Sequence, residues 1–173
     1  KFILVSVFFM AFSSVVLAEN DRWYALFLGG QQVGHSNYSF SDSDKNSELK
    51  TKTKLSMRRG SVGIDVLTST TWQVDSTSGE PVFMRTESSL GESKTSKVWE
   101  FKNRNEFIQI VENGASTSKT VYKIEDNSWL TPIEEEKYIK ARLSGGAKVI
   151  KYKTLNPEIS VSPIEIILTK SSK

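Results

Sequence analysis

The sequence predicts a mainly β fold, in which a strongly curved antiparallel sheet resembles a half-barrel and one helix lies in the C-terminal third. Three observations predict this fold. Segments that alternate between apolar and polar residues recur along the chain, as half-buried strands do. Turn signals separate them about every eight to twelve residues, which is typical of an all-β meander. A single stretch carries the start and stop signals of a helix. We expect about nine or ten strands, and a sheet of that size tends to coil.

Length and composition fit one folded domain over residues 19–173. The chain has 173 residues, of which 38% are hydrophobic, so it can bury a core without disulfides. Its net charge of +3 is too small to predict nucleic-acid binding, and no block of basic residues supports that function. Cysteine is absent, which excludes thiolate chemistry. We expect no nucleic-acid partner and no cofactor.

The first eighteen residues have the pattern of a secretory signal peptide. Lys1 precedes a long apolar run, and the small residues Val16 and Ala18 stand at its third-last and last positions. A membrane anchor helix is the alternative, because the run approaches the length of a membrane span. The adjacent pair Ser13 and Ser14 within the run and its small-residue ending favour cleavage before Glu19. We therefore expect an exported protein, periplasmic or secreted, with no membrane span after cleavage.

The mature chain opens with a predicted hairpin. Residues 22–28 are rich in aromatic side chains and apolar on both faces, so we expect this strand to be covered on both sides, or its outer aromatic residues to pack under another part of the molecule. Gly29 and Gly30 can adopt the positive φ that a tight turn requires. Residues 32–41 alternate between two faces and form the second strand of the hairpin.

The next two predicted strands are long. One face of residues 48–59 carries four basic side chains at period two: Lys50, Lys52, Lys54 and Arg58. Such a stripe is typical of a solvated strand face, and an anionic surface or a polysaccharide is the alternative partner. Residues 61–75 return with Trp72 and Val74 on one face.

Four shorter strands complete the predicted meander. They cover residues 82–90, 94–102, 106–112 and 117–125. Asn113–Gly114, between the last two, is the strongest hairpin signal in the chain.

The helix signals begin at Thr131. This residue can cap a helix whose first position is Pro132, and Glu134 follows at the third position, which completes a capping box. Gly145 and Gly146 end the helix. Its apolar side consists of four residues: Ile133, Tyr138, Ile139 and Leu143. Two more strands are predicted over residues 147–155 and 159–169.

The opening of the mature chain also carries a family resemblance. Five residues carry it: Trp23, Tyr24, Gly30, Gly34 and His35. At these residues the chain resembles the β-rich region that precedes transglutaminase-like domains in exported bacterial proteins, which typically opens with an aromatic pair, a glycine hairpin and a following Ser or His. A second set of residues matches later in the chain: Trp129, Leu130, Gly146, Asn156 and Pro157. The chain resembles that region over nearly all of its mature length, and periplasmic lipoprotein carriers are a weaker analogy.

This resemblance implies a non-catalytic accessory or interaction domain that precedes a transglutaminase-like domain. Such a catalytic domain would carry a Cys-His-Asp triad, whereas this chain has no Cys and one His. No catalytic residue can be carried over, and we expect no enzymatic activity from this chain.

Few other residues suggest a site. His35 is the single histidine, so it cannot form a histidine metal cluster. The acidic run 134–136 is explained by the positive end of a helix dipole. The aromatic residues that could hold an apolar ligand on the concave face are Trp23, Trp72, Trp99 and Trp129; their simpler role is core. The alternative function is therefore a periplasmic binder of lipid or another apolar ligand, and the partner in the favoured function is an unknown protein.

Overall fold

The computed structural model describes residues 21–59, 62–113 and 116–170, and it confirms the mainly β fold with one helix. An eight-stranded antiparallel sheet comes first, and a three-stranded sheet follows together with the helix. The predicted signal peptide over residues 1–18 lies outside the described residues, as do Gly60 and Gly114 of two predicted turns.

The large sheet is a meander in which every strand pairs with its neighbours in sequence. Its eight strands are β1 Asp21–Leu28, β2 Gln31–Asp42, β3 Asn46–Arg59, β4 Val62–Asp75, β5 Pro81–Leu90, β6 Ser93–Asn103, β7 Glu106–Asn113 and β8 Ser116–Lys123. The order runs from β1 to β8 without closure among the described residues, so the sheet is open. Gly29 and Gly30 adopt φ values of 58° and 79°, which confirms the predicted tight turn between β1 and β2.

The second sheet was not expected. It contains β9 Trp129–Leu130, β10 Val149–Thr154 and β11 Ile164–Thr169. β10 pairs parallel with β9 and antiparallel with β11. The prediction of one sheet with nine or ten strands is therefore wrong. Two residues of β9 are too few to show any periodicity, and its parallel partner lies beyond the helix in the chain.

The small sheet and the helix form a second layer. The core lies between the large sheet and this layer. Its buried residues are Trp72, Met84, Trp99, Phe107, Ile124, Trp129 and Leu155. We call the side of the large sheet that carries Trp72, Met84 and Trp99 the inner face; these three residues stand in register across β4, β5 and β6. Burial of each such side chain contributes about 1.5–3 kcal/mol. The opposite side of the sheet is the outer face.

The expectation that β1 is covered on both sides is wrong. Trp23 is 66% exposed and Phe27 is 62% exposed. β1 is an edge strand whose pairing with β2 is irregular between Leu26 and Phe27. The second layer packs against the inner face alone. Trp23, which lies on the outer face, therefore stays in solvent.

Helix α1, Pro132–Ser144, begins as predicted. The Thr131 hydroxyl accepts a hydrogen bond from the Glu134 amide, and the Glu134 carboxylate accepts one from the Thr131 amide at 2.8 Å, which confirms the capping box. Ile133 is buried, Tyr138 and Ile139 are half-buried, and Leu143 is exposed, so the burial of the predicted apolar side decreases toward the C-terminal end of the helix. Within the described part of the chain, no helix has the length and apolar composition that a membrane crossing requires.

Arg104, in the turn between β6 and β7, connects the two layers. Its guanidinium donates hydrogen bonds to the Trp129 carbonyl at 2.7 Å and to the Glu134 carboxylate at 2.6 Å. It also donates to Glu80 at 3.0 Å and to the Gly79 carbonyl at 3.2 Å, both in the turn between β4 and β5. The Arg104 side chain is 17% exposed and lies over the Trp129 ring. We call these five residues the Arg104 cluster.

We expect that Arg104→Lys lowers the free energy of unfolding by about 1–3 kcal/mol, because a lysine cannot make this set of bonds to two carboxylates and two carbonyl groups at once. Arg142→Lys is the matched control, since Arg142 also stacks on an aromatic ring, Tyr138, but is exposed on the helix. Urea unfolding of both variants measures the difference. Equal midpoints for the two variants would show that the cluster does not hold the layers together.

Gly34 marks a close approach of two strand backbones. A Cβ atom added there would overlap the carbonyl oxygen of Lys54 in β3. We expect Gly34→Ala to lower the free energy of unfolding by about 2 kcal/mol or more, because the pairing of β2 with β3 must shift. Gly63→Ala is the control, since an added Cβ meets nothing within 4 Å. Thermal unfolding compares the two, and an unaltered midpoint in Gly34→Ala would contradict the close approach.

Candidate functional site

A groove of about 800 Å³ crosses the outer face of the large sheet. It extends from Trp23 in β1 to Glu112 in β7. One row of side chains crosses the middle of the groove. Its residues are paired in neighbouring strands, and paired residues project from the same side of a sheet. Lys52 pairs with Ser69, and Ser69 pairs with Glu87. The groove therefore lies on the side of the sheet that the core does not use.

The half of the groove on β1–β3 is aromatic and basic. The rings of Trp23 and His35 lie 5.4 Å apart with an interplanar angle of 46°. Lys52 and Lys54 line the same half, and Lys54 pairs with His35 in the sheet. Neither lysine makes an ion pair with another residue that the structure describes. Their two cations are thus available to an anionic group in the groove.

Asn37 stands between Trp23 and Lys52 in the same row of the sheet. It is only 9% exposed, it lines the groove, and its Nδ2 atom has no hydrogen-bond partner among the described residues. A buried donor without a partner costs about 1–3 kcal/mol. The Nε1 atom of Trp99 is also unpartnered there, but Trp99 belongs to the core, whereas Asn37 lines the groove.

The half of the groove on β5–β7 is rich in hydroxyl and carboxylate groups. Glu87 and Glu112 each pair with Ser96, which stands between them in β6. Ser89 and Lys94 line the adjacent row and pair with each other. Small serine side chains at alternate positions leave room above the strands, while the longer side chains form walls. The groove consequently has a basic end and a mixed, partly acidic end.

The four tryptophans that the sequence suggested as a ligand lining are not on one surface. Trp23 lines the groove. Trp72, Trp99 and Trp129 are buried in the core, where Trp72 stacks with Phe101. The groove contains one of the four, and the other three hold the layers together.

The other candidate site residues of the sequence analysis, which are His35 and the glutamates at 134–136, do not lie together. His35 lies in the groove, and the residues that the structure describes contain no group of three His, Cys, Asp or Glu side chains suited to a metal ion. The three glutamates of the helix make structural contacts. Glu134 belongs to the Arg104 cluster, Glu135 accepts a hydrogen bond from Tyr152 at 2.6 Å, and Glu136 pairs with Arg22 at 2.5 Å.

These contacts change the protonation equilibria around the helix. Burial, together with the hydrogen bond to Glu135, raises the pKa of Tyr152. Burial alone would raise the pKa of Glu136, but the hydrogen bonds from Lys140 and Arg22 outweigh it and hold the pKa below its ordinary value. Both shifts are explained by packing of α1 against its neighbours, on the opposite side of the sheet from the groove.

Sequence reasoning identified part of this site. The lysine stripe at period two includes Lys52 and Lys54, and its alternative partner was an anionic surface or a polysaccharide. Glu87 and Glu112 were missed, because each stands in an alternating strand without a motif of its own, and Asn37 was noted only as the start of a glycosylation sequon, Asn37–Tyr38–Ser39. Strand register brings them together, and register is set by pairings between strands rather than by any one segment.

Comparison of the chain with family models, with curated proteins and with solved structures finds no match. The resemblance to the region that precedes transglutaminase-like domains therefore stays a prediction.

We expect Asn37→Leu to raise the free energy of unfolding of the ligand-free protein by about 1 kcal/mol, because it removes an unpaired buried donor. Ser36→Ala is the neighbouring control of opposite sign, since the buried Ser36 hydroxyl bonds to the Thr53 hydroxyl at 2.9 Å on the inner face. Thermal and urea unfolding measure both variants. A loss of stability in Asn37→Leu equal to that in Ser36→Ala would show that the amide has a partner after all.

Proposed function

We propose that this chain is a non-catalytic binding domain of an exported protein and that the groove on the outer face holds its ligand. The observation that carries the proposal is the unpartnered amide of Asn37 in the groove. A buried polar group without a partner is rare in a native protein, and an absent ligand is one of the few explanations for it.

The placement of the groove supports this proposal. All of its side chains except Trp23 project from β2–β7, whose backbones are held on both sides by neighbouring strands. Sites on such rigid elements hold their geometry better than sites on loops. Because the core uses the inner face, groove side chains can be exchanged with little effect on packing.

The proposed role in the organism follows from the resemblance. An accessory or interaction domain next to a transglutaminase-like domain would bring the partner or substrate of that enzyme close to it. In this proposal the groove supplies the affinity and the neighbouring domain supplies the chemistry.

A second candidate, the binding of lipid or another apolar ligand, has a different observation in its favour. The inner face continues past the core with three exposed apolar side chains: Met57, Ile64 and Leu90. This end of the sheet, and not a set of four tryptophans, is where an acyl chain would lie.

We expect a fragment library of anionic, cationic and neutral compounds, screened by ¹H–¹⁵N NMR, to shift the amide signals of Asn37, Lys52 and Glu87. Oleate, added separately, tests the second candidate through the signals of Leu55 and Leu90. Asn37→Leu should reduce the shifts at the groove, and Lys148→Gln, an exposed lysine outside it, should not. A library without any effect on the groove signals would refute the proposed function.

A further inference from the structure

The shape and the charges of the groove also indicate the class of its ligand. We propose that the groove binds an acidic oligosaccharide, a chain of sugar rings in which carboxylates are combined with many hydroxyl groups. This inference rests on the proposed function, since it assumes that the groove is a binding site. It adds the chemistry of the ligand, which four features of the groove define.

The first feature is the length of the groove. It runs across the strands from β1 to β7, and six steps of ~4.8 Å between strands give a path of roughly 29 Å along the sheet. Compact small molecules fill deep pockets and bury most of their surface there. An open path across many strands fits a linear chain of several units.

The second feature is the aromatic platform at the β1 end. Trp23 is 66% exposed, and His35 lies beside its ring at 5.4 Å. A sugar ring has one face made largely of C–H groups, and these carry the partial positive charge that the face of an aromatic ring attracts. Trp23 therefore offers a stacking surface for one ring at the end of the chain.

The third feature is the set of donors next to this platform. The Nδ2 atom of Asn37 lacks an acceptor among the described residues, and the ammonium groups of Lys52 and Lys54 lack an ion-pair partner there. A carboxylate on the sugar beside Trp23 would pair with the two ammonium groups, and with the Asn37 amide once its side chain turns toward the groove. Hydrogen bonds to charged groups are the stronger ones, so the acidic sugar should be the best anchored unit.

The fourth feature is the carboxylate end on β5–β7. Glu87 and Glu112 accept hydrogen bonds from sugar hydroxyls, and Lys94 allows one further acidic group at this end. A nucleic acid would place a phosphate at every unit along the path and would be repelled by these two glutamates. The mixed charges thus favour a sugar chain over single-stranded nucleic acid.

An extended peptide also fits this surface poorly. Peptides that bind sheets usually pair with an edge strand, where free backbone groups satisfy their own N–H and C=O groups. The strands β2–β7, which carry most of the groove, have used these groups in their pairings, and the edge strand β1 contributes only the Trp23 side chain to the lining. A sugar chain has no row of backbone amides that needs hydrogen-bond partners. Its hydroxyl groups can form hydrogen bonds with the serine, glutamate and lysine side chains of the groove.

The test is calorimetric and fluorescence titration with four probes at low salt. Hyaluronan oligosaccharides carry a carboxylate on every second ring, alginate oligosaccharides carry one on every ring, and chitin oligosaccharides are neutral. Single-stranded oligodeoxythymidylate is the fourth probe. We expect at least one acidic oligosaccharide to bind roughly tenfold more tightly than the chitin oligosaccharide and to alter the emission of Trp23, the one exposed tryptophan among the described residues.

Matched variants identify the groups involved. We expect Trp23→Ala to weaken binding of the acidic oligosaccharide roughly tenfold, and Phe27→Ala, an equally exposed aromatic residue outside the groove lining, to leave it unchanged. Lys52→Gln should weaken the acidic oligosaccharide and reduce the salt dependence of its affinity without affecting the chitin oligosaccharide. Lys148→Gln should change neither affinity.

Three outcomes would overturn the inference. They are no binding of either acidic oligosaccharide, tighter binding of oligodeoxythymidylate, and an acidic oligosaccharide affinity that both Trp23→Ala and Lys52→Gln leave unchanged. The NMR screen with fragments separates this failure from a failure of the proposed function. If fragments shift the groove signals while the oligosaccharides do not, only the ligand class is wrong, and if neither does, both proposals fail.

Discussion

The architecture depends on the way in which the Arg104 guanidinium holds two layers together. Burial opposes its charge, yet the carboxylates of Glu134 and Glu80 outweigh that effect and hold the pKa of Arg104 above its ordinary value. Its bonds reach a turn of the large sheet, the strand β9 and the start of α1. The Trp129 indole completes the connection by donating to the Arg104 carbonyl at 3.1 Å. One charged side chain therefore sets how the second layer sits on the inner face.

This arrangement leaves the outer face of the sheet free for binding. The core takes its large side chains from the inner face, so the residues of the outer face are not needed to bury apolar surface. Alternation along each strand separates the two roles within the same segment: Asn37 lies in the groove, and its neighbour Ser36 bonds to β3 on the other side. The same sheet thus contributes to stability through one set of side chains and presents the candidate site with the other.

Local features of the chain were predictable from the sequence, whereas the relations between distant segments were not. Alternation and turn residues located the eight strands, and the capping box at Thr131 located the helix. The two-residue strand β9 and the exposure of Trp23 depend on which face receives the second layer, and no single segment carries that information. The candidate site was visible only as a lysine stripe. Its partner residues come from strands whose register is fixed by pairing across the whole sheet.

The chain order of the strands has a consequence for how this protein folds. Every pairing in the large sheet joins neighbours in sequence, so each strand can add to the one before it across a short turn. The groove consists of hairpin neighbours alone and can assemble strand by strand from either end. The contacts of Arg104 with Trp129 and Glu134 span 25 and 30 residues, and they join the large sheet to segments that lie beyond its last strand in the chain. Pairing between consecutive strands therefore suffices to form the groove, whereas attachment of the second layer needs contacts between segments that are distant in the chain.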